Sequence, residues 1–432
     1  MHNSIPIRHP RWSRRNRIGA ALLTALALAL VPAAPAGASF GFITQWGSAG
    51  EEDGQFESPR GIAIDSQGDV YVADTFNHRI QKFDPDGSFL GKFGTHGASD
   101  GQLNSPLGIA IDSNGNLYVA DTNNNRIDKF DSSGAFLGKW GSFGTENGQF
   151  KVPFAVAVDS NDDVYVVDRA NSRIQKFDSS GSFLTTWGSF GSGNSQFNNP
   201  SGIAVDAQDD VYVADSGNNQ VKVYDSSGAF IRRWGEFGTG DGQLRSPNGV
   251  AVDSLGNVYV VDTNNSRIEV FDPTGAYLSQ WGTEGTGEGQ FEAAVGIAID
   301  QDDDVFVSEL FPNDRVQVFG DPAPTIADLL DSLHELGLPR GIESSLARKL
   351  EGAQQDLEEG DVGDVCGKLR AVVNEVRAQA GKKISTEAAA EFIAEVKEVG
   401  GDLGCPECEH RGRHRGWWHH QHHEHHGHRG RH

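Results

Sequence analysis

The feature that most constrains this chain is a beat of 47 residues, the step from Trp46 to Phe93. Trp140, Trp187, Trp234 and Trp281 continue that step, and each of the six aromatic residues is followed by glycine. Asp74, Asp121, Asp168, Asp215 and Asp262 keep the same interval, with Glu309 in the sixth place, and so do Asp65, Asp112, Asp159, Asp206, Asp253 and Asp300. Such regularity means six copies of one supersecondary unit, each too small to bury an apolar face alone and therefore stacked on its neighbours.

Within one copy, Gly61 to Asp65, Val70 to Asp74, Arg79 to Phe83 and Ser88 to Phe93 are short β-branched or aromatic runs between turn formers, which predicts four strands. Asp84-Pro85-Asp86-Gly87, Asp131-Ser132-Ser133-Gly134 and Asp272-Pro273-Thr274-Gly275 are tight-turn sequences with a glycine for positive φ, so neighbouring strands run antiparallel. Six such units predict an all-β six-bladed β-propeller. The first three strand types occur six times after residue 60, but the fourth occurs only five times; its sixth copy is Phe40 to Trp46, ahead of all the others. That strand is expected to pair with Arg315 to Phe319 and close the ring, hiding an edge that would otherwise recruit other chains.

The pattern Gly61-Ile62-Ala63-Ile64-Asp65, then Val70-Tyr71-Val72-Ala73-Asp74, then Asn77-x-Arg79-Ile80-Gln81 and Phe83-Asp84 resembles the NHL repeat over residues 39–320. The tryptophan-aspartate and Gly-His dipeptides of WD40 blades are absent. Ala155 in place of the blade-opening glycine, Gln220 in place of the arginine, and one extra residue near Pro312 are departures from the repeat.

Because Asp74 with Arg79, and Asp121 with Arg126, recur blade after blade, one active site cannot be their reason, and they read as architecture. The short loop between the second and third strands needs its backbone donors capped, which Asp and Asn side chains do locally. Acidic hairpins such as Asp300-Gln301-Asp302-Asp303-Asp304 lack the ligand order of an EF-hand loop and read as solvated turns.

Function is expected where the copies differ at one register. The residue before the first strand runs Arg60, Leu107, Phe154, Ser201, Asn248, Val295, and a residue after the second strand runs Phe76, Asn123, Ala170, Gly217, Asn264, Phe311. In an up-and-down blade both registers fall on one face around the channel mouth, the candidate ligand-binding face. Arg60, Phe154, Phe76 and Phe311 supply the residue types that carry interface energy.

The resemblance also implies alternatives, since some similar propellers are lyases or lactonases holding a zinc or calcium ion in the channel. A catalytic zinc wants three converging ligands, usually histidines, and between residues 40 and 320 only His78 and His96 occur, with no cysteine. No catalytic residues are assigned and no cofactor is required; a calcium-dependent hydrolase or lyase is the runner-up. RNA binding, known among NHL propellers of tripartite-motif proteins, is opposed by charge: the formal net charge is -24 and acidic residues outnumber basic ones by more than two to one in the repeats. The expected partner is a protein or a glycan, not nucleic acid.

After Pro322 and Pro324 the apolar period becomes 3.6, with Ile326, Leu329, Leu330 and Leu333 on one face. Thr325 with Asp328 forms a capping-box pattern, Asp361 and Ser385 are plausible N-caps, and Gly337 and Gly381 suit helix ends, giving helices over about 325–336, 342–359, 362–380 and 385–399. Leu338-Pro339-x-Gly341-Ile342, Leu346-x-x-Lys349-Leu350, Cys366-x-x-Leu369 and Gly381-Lys382-Lys383 resemble the FIMAH domain of exported bacterial proteins, which implies an accessory module for attachment or self-association. Cys366, on the apolar helix face, reads as a packing residue.

Residues 401–432 read as a disordered tail, in which Cys405 and Cys408 with His410, His414, His419, His420, His422, His423, His425 and His426 form a candidate site for zinc, nickel or copper. At the other end, five arginines before residue 18 and an apolar run from Ile18 to Val31 read as an export signal over 1–38, too short for a bilayer span. The expected organisation is signal, propeller 39–320, linker 321–324, helical domain 325–400 and tail, in a secreted or cell-surface bacterial protein with no membrane span in its mature form.

Overall fold

A computed structural model describes residues 41–320, 325–403 and 405. The expected signal segment, the linker and nearly all of the histidine-rich tail lie outside the described residues. Strand β1 (Gly41–Trp46) comes first, followed by β2 (Pro59–Ile64), β3 (Val70–Asp74), β4 (Arg79–Phe83) and β5 (Phe89–Phe93), which form the first blade in that order. The pattern recurs to give six four-stranded antiparallel sheets. The last blade contributes Ala294–Ile299, Val305–Glu309 and Arg315–Gly320, and β1 fills its fourth place, with Phe42 opposite Phe319 and Trp46 opposite Val316. The ring therefore closes through the first strand, as the copy count requires.

The second strand of each blade is buried along its whole length, because it stands between two neighbouring sheets and packs on both. Its apolar run is consequently continuous, whereas the outermost strand alternates half-buried and exposed positions. The cores lie between blades: Tyr71, Ala73 and Ile80 of the first pack with Ile109, Leu117, Val119 and Phe130 of the second. Burying each such large side chain contributes roughly 1.5–3 kcal/mol.

The repeated tryptophan joins one blade to the next. Trp46 lies across Gly87 of the first blade, where a Cβ would meet its ring at 2.5 Å, and its centroid is 5.8 Å from Phe83 and 6.2 Å from Phe306. Trp140 over Gly181, Trp187 over Gly228 and Trp234 over Gly275 repeat the contact. The turn glycine thus meets two demands, a φ of +86° at Gly87 and a flat ring pressed against it.

The recurring carboxylate is architectural, but its clients differ from those expected. Within its own loop Asp74 accepts from the Asn77 side chain at 3.0 Å, but its shortest bonds go elsewhere: Oδ1 accepts from Glu57 N at 2.7 Å, in the segment that crosses between blades, and Oδ2 receives Arg79 Nε at 2.7 Å. Arg79 then donates to the carbonyls of Glu51, Glu52 and Gln55, so the pair staples the crossing segment to the sheet. In the fourth blade Gln220 stands in the arginine's place, and Lys222, two residues on, supplies the cation instead. A further bond repeats between neighbours: Val152 N donates to Asn125 Oδ1, Ser246 N to Asn219 Oδ1, and Ser58 N to Asp314 Oδ1 at 2.8 Å, the last linking the sixth blade to the first.

The helical unit has α1 (Ile326–Glu335), α2 (Arg340–Glu359), α3 (Val362–Gln379) and α4 (Thr386–Asp402) around a core that includes Leu329, Leu333, Leu350, Leu369, Val373, Phe392 and Val396. Asp361 Oδ1 accepts from Asp364 N and Ser385 Oγ from Ala388 N, while Gly337 and Gly381 take positive φ. The reading of Cys366 as a packing residue is corrected: it is buried on α3, but its sulfur is bonded to Cys405. That disulfide ties the chain beyond α4 to α3 across 39 residues. No helix among the described residues is long and apolar enough to cross a membrane.

Candidate functional site

The two variable registers meet on one face of the propeller. Arg60, Leu107, Phe154, Ser201, Asn248 and Val295 ring the mouth of the central channel, lining a cavity of about 90 Å³. Phe76, Asn123, Ala170, Gly217, Asn264 and Phe311 stand outside that ring, and all are exposed. Their side of the sheet is fixed by backbone bonds such as Phe76 N to Glu57 O and Asn123 N to Asn104 O, which hold each loop beside the start of the first strand.

Below the mouth, the innermost strands approach so closely that a side chain at the glycine register would clash in every blade but the third, where Ala155 stands. A Cβ on Gly61 would lie 2.4 Å from the carbonyl oxygen of Leu107, on Gly202 2.3 Å from that of Asn248, and on Gly296 1.9 Å from that of Arg60. The glycines after the variable residues therefore set the bore of the channel, and the variable side chains sit at its rim.

The ring members are not equally available. Ser201 is 1% exposed, and its hydroxyl donates to carbonyls of Pro247 and Asn248 in the next blade; Val295 is also buried. Both belong to the packing between blades. Arg60 is different: its Nε is buried without a hydrogen-bond partner, and burial, followed by the charge of Arg169, lowers its pKa.

Arg169 is a residue that the comparison of copies passed over. Its guanidinium carbon lies 4.3 Å from the centroid of Phe154, a cation–π stack at the edge of the cavity. The signal was present one position upstream of the second variable register, where the blades carry Thr75, Thr122, Arg169, Ser216, Thr263 and Leu310. The threonines at three of these places bond carbonyls of the next blade, Pro106, Pro153 and Ala294. Arg169 has no such hydroxyl to offer. A second missed set is Phe143, Phe190 and Phe237, exposed by 69%, 73% and 68% on successive blades. Their segments lie on the same face, since Asn171 of a second-to-third-strand loop donates to Gly144 O and Asn265 to Gly238 O.

Of the candidate tail site, only Cys405 falls among the described residues, and its place there is corrected: with its sulfur bonded to Cys366 it has no thiolate to give a metal. Cys408 and the histidines from His410 onward lie outside the described residues. The propeller's two histidines stack on each other, His78 against His96 at 4.3 Å, and His78 Nδ1 accepts from Ser105 N. Burial, then the neighbouring His96, lowers the pKa of His78.

The NHL repeat matches residues 56–83, 103–130, 150–177, 197–224 and 244–271, one segment in each of the first five blades. A stretch of 45 residues is 53% identical to the B-box type zinc finger protein ncl-1 of Caenorhabditis elegans, covering 10% of this chain and 5% of that protein. The chain thus spans only a small part of that relative. Among solved structures, a Bacteroides thetaiotaomicron protein of unknown function matches at 18% identity with a TM-score of 0.50, over 65% of this chain and 75% of that one. A Xanthomonas campestris gluconolactonase matches at 17% identity and a TM-score of 0.48, over 62% of this chain and 87% of that one. At these identities the likeness is one of fold alone. The five matched segments and the six closed sheets together make residues 41–320 an NHL-repeat six-bladed β-propeller.

Proposed function

We propose that this protein is an exported, non-catalytic binding scaffold that engages a protein or glycan partner on the channel-mouth face of its propeller. One observation carries the reading: the carboxylates that repeat at the register of Asp74 are buried and committed to holding blades together, whereas the residues that vary gather on a single face, half-buried or buried at the channel rim and exposed at the register of Phe76 and Phe311. Phe76, Phe311, Phe143, Phe190 and Phe237 give that face five exposed aromatic rings, the residue type that anchors interfaces. The channel cavity, at about 90 Å³, falls well short of the roughly 300–1,000 Å³ of sites that enclose a small molecule, which supports a binder over a lyase or lactonase. Export is supported by the Cys366–Cys405 disulfide, a bond typical of oxidising compartments. The helical unit and tail serve as appendages for attachment or self-association, and with Cys405 engaged, metal capture falls to Cys408 and the tail histidines.

The test is binding of the full chain to glycan arrays and to surface proteins of its own cell type, beside a Phe76→Ser/Phe311→Ser variant. Loss of a specific signal in the variant supports this face; an unchanged signal moves the binding site elsewhere. Stoichiometric calcium or zinc in purified protein, with turnover of a lactone, would favour the catalytic alternative.

A further inference from the structure

The two arginines at the channel mouth are out of keeping with the rest of the propeller. In this strongly acidic chain, the repeat arginines Arg79, Arg126, Arg173, Arg267 and Arg315 are each paired with a buried carboxylate. Arg60 and Arg169 make no ion pair among the described residues, and the cavity beside them is lined by no Asp or Glu. Both are half-buried. Two like charges are therefore held near each other with reduced access to water and no counter-charge among the described residues, an arrangement that costs stability unless something else neutralises it. Burial lowers the pKa of each, and Arg169 lowers that of Arg60 further, as uncompensated neighbours should.

The local packing holds these groups in place. The Arg60 main chain is fixed, since its carbonyl oxygen accepts from Ser308 Oγ of the last blade at 2.5 Å. Arg169 is oriented by the Phe154 ring beneath it. Neither guanidinium repeats a contact used between blades: at the register of Arg169 the other blades mostly use a hydroxyl that bonds the next blade, and at the register of Arg60 they carry uncharged residues. Arg60 Nε keeps a buried N–H with no acceptor. A planar guanidinium with free donors is suited to a carboxylate or phosphate oxygen.

We propose that Arg60 and Arg169, with Phe154 as a wall, form an oxyanion-binding site at the channel mouth that receives a terminal carboxylate or phosphate of the partner. The cavity admits such a group and not a whole sugar ring or nucleotide, so the rest of the ligand lies on the surrounding face. This deepens, and rests on, the proposed binding role of that face, while the site itself is tested without a partner.

Isothermal titration of the full chain with glucuronate, with N-acetyl-diglycine and with inorganic phosphate distinguishes a sugar acid, a peptide carboxylate and a phosphate as the source. The expected result is saturable one-to-one binding of at least one probe, weakened about tenfold or more in both Arg60→Gln and Arg169→Gln. It should be unchanged in Arg233→Gln, an exposed outer-strand cation that serves as control. Thermal melts of all variants confirm that the fold is kept; should Arg60→Gln fail to fold, Arg169→Gln alone decides. No saturable binding of any probe, or binding that all three variants share equally, overturns the site. If probes bind at Arg60 while partner capture ignores the Arg60→Gln change, the site stands and the wider role of the face falls; if partner capture needs Phe76 and Phe311 but no probe binds, the reverse holds.

Discussion

Lys222 Nζ lies 2.8 Å from Asp215 Oδ2 in the fourth blade, and both side chains are fully buried. The lysine enters from the register that holds Gln81 and Gln175 elsewhere, and it donates to the carbonyls of Gly193 and Gln196, as Arg173 does to Glu146 and Gln149 in the third blade. One cation has thus moved by two residues along a strand, which keeps it on the same side of the sheet, and the staple survives.

Replacing Lys222 with glutamine should leave Asp215 as a buried charge without a cation, at a cost of about 3–5 kcal/mol. The double variant Gln220→Arg/Lys222→Gln rebuilds the arrangement of the first and third blades and should recover most of that loss. Urea denaturation of the three proteins checks both statements; a single variant as stable as the double one would show that the staple contributes nothing here.

Glu269 occupies the same register in the fifth blade, and burial raises its pKa to about 7, against the pull of Arg267. Its Oε2 is buried without a partner. A folded-state pKa raised above 4.5 means that the native state holds this proton more tightly, so its contribution is complete below pH 4.5 and is lost as pH rises to about 7. Glu269→Gln should remove that slope and raise stability above pH 7 by roughly 3 kcal/mol at most. The amide has acceptors ready, since Gln81 Nε2 reaches Gln55 O at 2.7 Å and Asp74 Oδ2 at 3.0 Å in the first blade. Melting temperatures from pH 4.5 to pH 8.5 provide the comparison; parallel curves for both proteins would remove Glu269 as the cause.

Removing residues 40–46 deletes β1, exposes the edge of Arg315–Gly320 and strips Trp46 from Gly87 and Phe83. The truncated protein should melt lower and aggregate, and Trp46→Ala alone should cost about 3–5 kcal/mol. Light scattering during a thermal ramp reads both effects, and unchanged melting with no added scattering would refute closure through this strand.

A methyl group on Gly296 would sit 1.9 Å from the carbonyl oxygen of Arg60, between rigid backbones of the sixth and first blades. Gly296→Ala should therefore destabilise by about 1–3 kcal/mol, and more if the ring cannot widen. Gly54→Ala, where no atom lies within 4 Å, is the matched control for the added methyl, although its φ of +80° carries a separate backbone cost. A stability loss for Gly296→Ala no larger than this control's would mean that the inner strands are not in tight contact.

The disulfide between Cys366 and Cys405 closes a 39-residue separation, which on chain-entropy grounds is worth up to about 4 kcal/mol to the helical unit. Cys405→Ser should lower the melting transition of that unit and leave the propeller's transition in place. Calorimetry of the full chain with and without reductant tests this, and two unaltered transitions would show that the bond is energetically idle.

Sequence alone determined the repeat, the strand count, the closing role of residues before Trp46 and the two registers where the blades differ, because each of these is periodic or a matter of counting. It also located N-caps at Asp361 and Ser385, where local chemistry suffices. Tertiary structure alone decided what those side chains meet: that Asp74 reaches the crossing segment as well as Asn77 of its own loop, that Ser201 is spent on a neighbour's carbonyls, that Cys366 finds Cys405, and that Arg169 stacks on Phe154 beside Arg60. These pairings join residues distant along the chain, and a period fixes where along its own blade a residue stands but not which atoms of the next blade come to face it.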